Sequence, residues 1–184
     1  MNTGKDPATY TDQELIDLTL DKDKEYFNEL VKRYYPKIFR YAGRLLNHRR
    51  HDVEECVSET FLKAFVHLDT YSPRATFSTW IYRIAHNQAV DHIRSNSKRS
   101  FVEISEDHLT YNPATIYEHK DELEKILRRV NLEDRNLLTL FYLEELSLNE
   151  ISDILKIKPN TIAVKIKRIK DKIRKMQNKH RYGN

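Results

Sequence analysis

Apolar residues recur along most of this chain at helical spacing, and no strand-like alternation of any length interrupts them. Thr11-Asp12-Gln13-Glu14 reads as a helix start followed by Leu15, Ile16 and Leu18. Phe27, Leu30, Val31, Tyr34 and Tyr35 keep the same spacing to Pro36, where the segment is expected to bend or restart before Ile38, Phe39, Ala42, Leu45 and Leu46. After a polar break at 47–51, Asp52 is the expected cap of a helix holding Val53, Val57, Phe61, Ala64, Phe65 and Leu68. The exposed side of that helix is acidic, with Glu54, Glu55 and Glu59. Residues 71–76 read as a loop, and from Phe77 or Ser78 a long helix is expected through Trp80, Ile81, Ile84, Ala85, Val90 and Ile93 to about Ser97.

The periodicity then fades between Asn96 and Ala114, where Ser, Asn, Asp, Glu and Pro dominate and Asn112-Pro113 acts as a stop. From about Thr115, apolar positions at Ile116, Leu123, Ile126, Leu127, Val130, Leu132, Leu137, Leu138 and Phe141 predict further helices. Residues 146–175 spell two helices joined by a tight turn. Ser147 and Glu150 form a capping box, with Leu146 and Ile151 placed as a hydrophobic staple. Ile151, Ile154 and Leu155 make the first apolar stripe, and the stretch from Lys156 to Pro159 breaks it. Asn160 or Thr161 can cap the second helix, which carries Ile162, Ile166, Ile169 and Ile173.

The opposite face of that last helix changes the picture. Lys165, Lys167, Arg168, Lys170, Lys172, Arg174 and Lys175 stand there with only Asp171 against them in the sequence. Such a helix fits the major groove, its first turns facing base edges while lysines and arginines neutralise phosphates. A solvated basic helix is the plainer reading of a charge run. Here the capped helix, the turn and the second helix arrive together with the charge and favour a DNA-binding unit. The net charge of +4 understates this polarity, because positive charge gathers at the C-terminal end while residues 1–30 are acidic.

With 184 residues, 3 Gly and 5 Pro, the chain is expected to be all-α, with two small helical domains joined by an acidic linker. The expected bounds are 1–97 for the first domain, 98–114 for the linker and 115–184 for the second. The single cysteine, Cys56, excludes an internal disulfide. The absence of a long apolar run argues against membrane insertion or a secretory signal, so a cytosolic location is expected.

The order of parts is similar to that of an extracytoplasmic-function sigma factor, the smallest type in the sigma-70 family of RNA polymerase specificity subunits. The segment DVEECVSETFLKAF resembles the part of region 2 that docks on the polymerase, and ATFSTWIYRIAHNQAVDHIR resembles the helix that melts and reads the minus-10 element. Phe77, Thr79, Trp80, Arg83, Ala85, Asn87, Asp91 and Arg94 match that second motif, and residues 146–175 stand where the family has its region 4 helix-turn-helix.

By this resemblance, Asp52, Glu54, Glu55, Ser58 and Glu59 are the expected polymerase-docking residues, Ser58 replacing a common Gln. For the minus-10 element the resemblance implies Tyr71, Arg74, Thr76, Ser78, Arg83, His86, Asn87, Arg94 and Lys98. Tyr71, Arg74, Thr76 and Ser78 would form a pocket for one flipped base, with Asn87 helping from the helix. Aromatic faces, pocket hydrogen bonds and cations are what unstacked bases need in exchange for the duplex, and loop 71–79 holds all three. Trp80 reads as a core anchor beneath the loop, whereas Phe77 and Tyr82 suit either role.

Minus-35 reading falls to Thr161, Ala163, Val164, Lys165, Lys167 and Arg168. Arg168 can take a guanine bidentately or pin a phosphate, and the sequence does not distinguish them. Many relatives carry Lys or Arg where this chain has Ala163, and the usual Gly of the turn is here Lys156. The linker carboxylates Glu103, Glu106 and Asp107 suit a tether, or a nucleic-acid mimic threaded toward the polymerase cleft.

The resemblance implies core RNA polymerase, promoter DNA and an anti-sigma factor as partners, with no small-molecule substrate. No Gly-rich phosphate loop or catalytic triad is present, so no enzymatic activity and no cofactor are expected. His48 and His51 near Asp52 and Glu55 lack the spacing of a zinc site, and the acidic neighbours of Cys56 raise rather than lower its pKa. A stand-alone helix-turn-helix regulator is the alternative, and it leaves the melting-type loop and the acidic helix without a purpose. A sequestering protein that copies a sigma surface needs no cations on its last helix.

Overall fold

The computed structural model describes residues 6–99, 126–127 and 129–181, with side chains followed to Ser95 in the first stretch and Lys175 in the last. Among the described residues every regular element is helical and there is no strand. The chain divides into two compact units, Met1–His108 and Leu109–Asn184, each with its own core.

The first unit holds α1 (Asp12–Asp21), α2 (Phe27–Leu45), α3 (Arg50–Val66) and α4 (Phe77–Arg99). Helix α1 starts on a capping box: the Thr11 hydroxyl accepts from the Glu14 amide at 3.2 Å, and the Glu14 carboxylate accepts from the Thr11 amide. Helix α2 does not restart at Pro36; it runs unbroken to Leu45. The apolar stripe stays in phase across the proline through Leu30, Tyr34, Ile38, Tyr41 and Leu45. Pro36 itself lies on the exposed side, away from the buried stripe.

Asp52 is not the cap of α3. That helix begins at Arg50 behind Arg49, which makes no side-chain cap, and Asp52 sits in its first turn facing the positive end of the helix. Helices α2 and α3 pack together, and α4 lies against both. Between α3 and α4 the chain makes a short 3-10 turn, Leu68–Thr70, and then the loop 71–76.

The second unit holds α5 (Leu132–Leu138), α6 (Leu148–Leu155) and α7 (Pro159–Arg181). Helix α5 is capped by the Asn131 side chain, which accepts from the Asp134 amide at 2.8 Å. It runs into a π turn over Thr139–Leu143 that the periodicity did not reveal. Leu137, Leu138, Leu140, Leu146, Ile151, Ile154, Ile162, Ile166 and Ile169 form this core.

The Ser147–Glu150 capping box is present, with the Glu150 amide donating to the Ser147 hydroxyl at 3.3 Å, and both staple residues, Leu146 and Ile151, are buried. Lys156 ends α6 in the left-handed region, with φ 58° and ψ 37°. This is the position where glycine carries no steric penalty and lysine costs about 1 kcal/mol. Neither Asn160 nor Thr161 caps α7. Pro159 takes the first helical position, where its missing N–H is no loss, and the Ile162 amide donates to the Lys158 carbonyl at 3.1 Å.

Candidate nucleic-acid interface

The loop 71–76 rests on a stack of aromatic rings. Phe77 and Trp80 are 2% and 6% exposed, so both go to the core, as does Tyr82 at 2%. Tyr71 lies edge-on to Phe77 at 6.0 Å and to Trp80 at 5.6 Å between ring centroids. Its hydroxyl donates to the Ala75 carbonyl at 2.8 Å, which closes the loop on itself. Burial raises the Tyr71 pKa, so the phenol stays a donor.

Thr76 is the cap of α4. Its hydroxyl accepts from the Thr79 amide at 3.2 Å and lies 2.9 Å from the hydroxyl of the buried Thr79. Arg74 stays exposed at the tip, and Ser78 is half-buried. Of the four side chains expected to make a base pocket, two are thus engaged in local hydrogen bonds.

A concavity on this face lies one step along. A groove of about 320 Å³ is lined by Lys63, His67, Thr70, Trp80, Ile84, Asn87, Gln88 and Asp91. Among the residues singled out from sequence for the base pocket, Asn87 alone lines it, with Trp80 as its apolar floor. Lys63, His67 and Thr70 were missed because they belong to the end of α3 and the following turn, where nothing in the local pattern marks them. The Lys63 ammonium donates to the Gln88 side-chain carbonyl at 2.9 Å, joining the two walls. The groove offers an aromatic edge, amides and a cation, the groups that hold an unstacked base.

The other minus-10 candidates spread along α4. Arg83 is half-buried and Arg94 exposed, the latter 3.9 Å from Asp91. His86 is half-buried with Nδ1 3.3 Å from the hydroxyl of the buried Tyr41, and burial holds its pKa below the ordinary value, so it meets the core as a neutral ring. Lys98 is on α4, its side chain outside the described set; Glu103, Glu106 and Asp107 lie outside the described residues altogether.

On α3, Glu54, Glu55, Ser58 and Glu59 are exposed, while Asp52 is half-buried. His92 of α4 reaches that corner, its Nε2 3.2 Å from Asp52 and its Nδ1 4.0 Å from Glu55. Sequence spacing offered His48 and His51 as the neighbours of these acids, and the histidine that approaches closest instead comes from a helix forty residues on. Among the described residues no group of three or more His, Cys, Asp and Glu is placed to hold a metal ion. Cys56 is buried and its thiol is pushed up to about 12, mainly by burial, with Glu59 and Glu55 adding to it.

Leu62 and Val66 were also missed, although they are 64% and 60% exposed. The signal was available: Ser58, Leu62 and Val66 follow each other at four-residue steps on the side away from the buried stripe Val53, Val57, Phe61 and Ala64.

In the second unit, Thr161, Ala163, Val164, Lys167 and Arg168 all stand exposed on one side of α7, with Lys165 beside them half-buried. Tertiary packing corrects the expectation that Asp171 alone opposes this charge. Helix α5 places Glu133 3.7 Å from Lys165 and Asp134 4.0 Å from Lys172, pairs that chain spacing cannot show. Lys170 lies over the Tyr142 ring at 5.2 Å. Lys167 and Arg168 remain the forward cations of the face.

Comparison with known proteins gives consistent matches. Residues 30–99 match the family described as sigma-70 region 2, and residues 120–173 match sigma-70, region 4. The chain is 32% identical over 179 residues to an ECF RNA polymerase sigma-E factor of Haemophilus influenzae, covering 89% of this chain and 93% of that one. To the ECF RNA polymerase sigma factor SigW of Bacillus subtilis it is 27% identical over 168 residues, 83% of this chain and 89% of the relative.

Two solved structures share the fold. The sigma factor RpoE of Bartonella quintana, in complex with the anti-sigma factor NepR, superposes with a TM-score of 0.69 at 17% identity, over 83% of this chain and 96% of that one. CnrH, in complex with the cytosolic domain of CnrY, superposes with a TM-score of 0.67 at 20% identity, over 91% and 97%.

Proposed function

From the premise that this chain belongs to the extracytoplasmic-function sigma factors of the sigma-70 family, promoter-recognising subunits of RNA polymerase, we propose how its residues divide that work. Residues 1–97 dock on the polymerase and open the minus-10 element, 98–114 tether, and 115–184 read the minus-35 element. On α3, Glu54, Glu55, Ser58 and Glu59 with Asp52 form the docking face, and the exposed Leu62 and Val66 extend it with apolar surface.

Opening is assigned to the loop at Tyr71 and Arg74 and to the groove at Trp80 and Asn87. The observation that carries this assignment is the groove itself: a concavity large enough for a nucleobase, floored by an indole, edged by the amides of Asn87 and Gln88, and bordered by Lys63 and Asp91. Arg83, Arg94 and Lys98 follow the strand beyond it along α4, whereas His86 contributes to the wall of the core. Thr161, Ala163, Val164, Lys165, Lys167 and Arg168 face the minus-35 major groove, with Arg168 on a base or phosphate.

The chain acts by binding and strand capture, with no covalent chemistry and no cofactor of its own. Among the described residues no helix is long and apolar enough to cross a membrane, which suits work beside the polymerase in the cytoplasm. Since both solved relatives are bound to a partner, one of them named an anti-sigma factor, an inhibitory protein of that kind is proposed for this chain as well. A stand-alone helix-turn-helix regulator is not favoured, because it leaves the match over residues 30–99 without a role.

The test is reconstitution with core polymerase and run-off transcription on genomic fragments, followed by footprinting of the open complexes. The chain should direct initiation only with the core present. Glu59→Lys should weaken assembly while helicity is unchanged; unaltered assembly would remove α3 as the docking face.

A further inference from the structure

The loop that meets the displaced strand is braced from a part of the molecule that no promoter-reading motif covers. Tyr34 of α2 lies edge-on to Phe77 at 5.1 Å, and Phe77 in turn carries Tyr71 and Trp80. The Tyr34 ring is 7% exposed, and its hydroxyl donates to one carboxylate oxygen of Asp12 in the first turn of α1. The other oxygen of Asp12 accepts from Arg33 Nη1 at 2.9 Å. Arg33 is itself fastened: Nη2 donates to the carbonyls of Tyr10 at 2.8 Å and Ala8 at 3.1 Å, and Nε lies 3.5 Å from Glu29. Helix α1 also packs on the turn Leu68–Thr70 from which the loop departs.

Packing alone does not account for this arrangement. A phenylalanine at position 34 would present the same ring to Phe77 without a polar group to satisfy, whereas the tyrosine ties that ring to a charged anchor by a charge-assisted hydrogen bond. A loop held in its binding shape before DNA arrives loses less conformational freedom when a strand is captured.

Resting on the reading of loop 71–76 and its groove as the minus-10 site, we propose that Asp12 and Tyr34 are positioning residues for promoter opening. Anchored by Arg33, they fix Phe77 and through it the aromatic platform on which the loop meets single-stranded DNA.

The experiment uses the full chain with core polymerase on a promoter mapped by footprinting, in two forms: fully duplex, and with the minus-10 region pre-opened by mismatches. Opening is followed by permanganate reactivity of unpaired thymines. Tyr34→Phe keeps the ring and removes only the hydroxyl; Asp12→Ala removes the anchor. Each should slow opening of the duplex about tenfold, the scale of one charge-assisted hydrogen bond. Core affinity should be unchanged, and the pre-opened template should restore run-off transcription, which a generally weakened fold would not allow.

Opening of the duplex at the wild-type rate by Tyr34→Phe overturns the proposal, as does an equal loss on both templates. Arg74→Ala and Asn87→Ala separate the two levels. If these slow opening while Tyr34→Phe does not, the brace alone falls; if they too are silent, the minus-10 reading of the loop and groove falls with it.

Discussion

The two units present their candidate DNA-contacting residues in opposite ways. On α7 the candidate residues Thr161, Ala163, Val164, Lys167 and Arg168 are exposed and make no part of the core, which is built from the other side of the same helix by Ile162, Ile166 and Ile169. In the first unit the candidate site and the core share members: Trp80 floors the groove and is 6% exposed, Phe77 underlies the loop, and Thr76 caps the helix that carries both. A surface that reads duplex DNA needs only a face to present. A surface that takes up a single base needs depth, and depth is made of core side chains.

That contrast is open to attack, most strongly at Trp80. Trp80→Ala removes a buried indole and should destabilise the first unit by about 3–5 kcal/mol, measured by chemical denaturation followed by circular dichroism. Duplex binding by the basic face of α7 should survive at denaturant concentrations where the first unit has unfolded; loss of both together would show that the regions are not separable in this sense. At Arg168 the expectation is reversed. Arg168→Ala should leave stability unchanged and weaken minus-35 affinity by about 1–3 kcal/mol if the guanidinium reads a base, selectively at one position, or uniformly across promoter variants if it holds a phosphate.

A smaller effect sharpens the second unit alone. Lys156→Gly relieves a left-handed lysine at the end of α6 and should raise the denaturation midpoint, with a gain of about 1 kcal/mol offset in part by the greater freedom of glycine in the unfolded chain. DNA affinity should not change, since the turn keeps its shape.

The smallest effect belongs to the first unit and to acid. Burial holds the His86 pKa below its ordinary 6.5, so the unfolded chain takes up this proton more readily than the folded one. The stability that neutral His86 contributes is present above pH 6.5 and is lost as the pH falls from there through the folded value. A titration of stability between pH 7.5 and pH 5, run beside His86→Gln, should show a downward slope in acid that the variant lessens.

The helical architecture was legible because most of its helix starts carry local signatures. Thr11 with Glu14, and Ser147 with Glu150, are capping boxes defined within four residues of sequence. The misplaced starts at Asp52 and at Asn160 or Thr161 have one cause. Polar residues suited to capping lay inside the true ends, where Arg49 and Lys158 serve through their backbones alone. The restart allowed for at Pro36 does not occur, because a single exposed proline is a weaker influence than a stripe of buried residues on both sides of it. The cationic side of α7 could be read directly, but not Glu133 and Asp134 standing against it from α5.

By itself, then, the amino-acid order determined where helices form, which face of each is apolar, that the chain has two helical parts, and that a basic helix closes a helix-turn-helix. Those properties depend on residues within a few positions of each other. Tertiary structure alone decided that Asp12 holds Tyr34 twenty-two residues away, that His92 rather than His51 comes closest to Asp52, that His86 turns inward, and that the groove belongs to Asn87, Lys63 and Thr70. Each of these rests on which helix packs beside which, and helical periodicity records only the direction in which a side chain leaves its own helix, not the partner that it meets there.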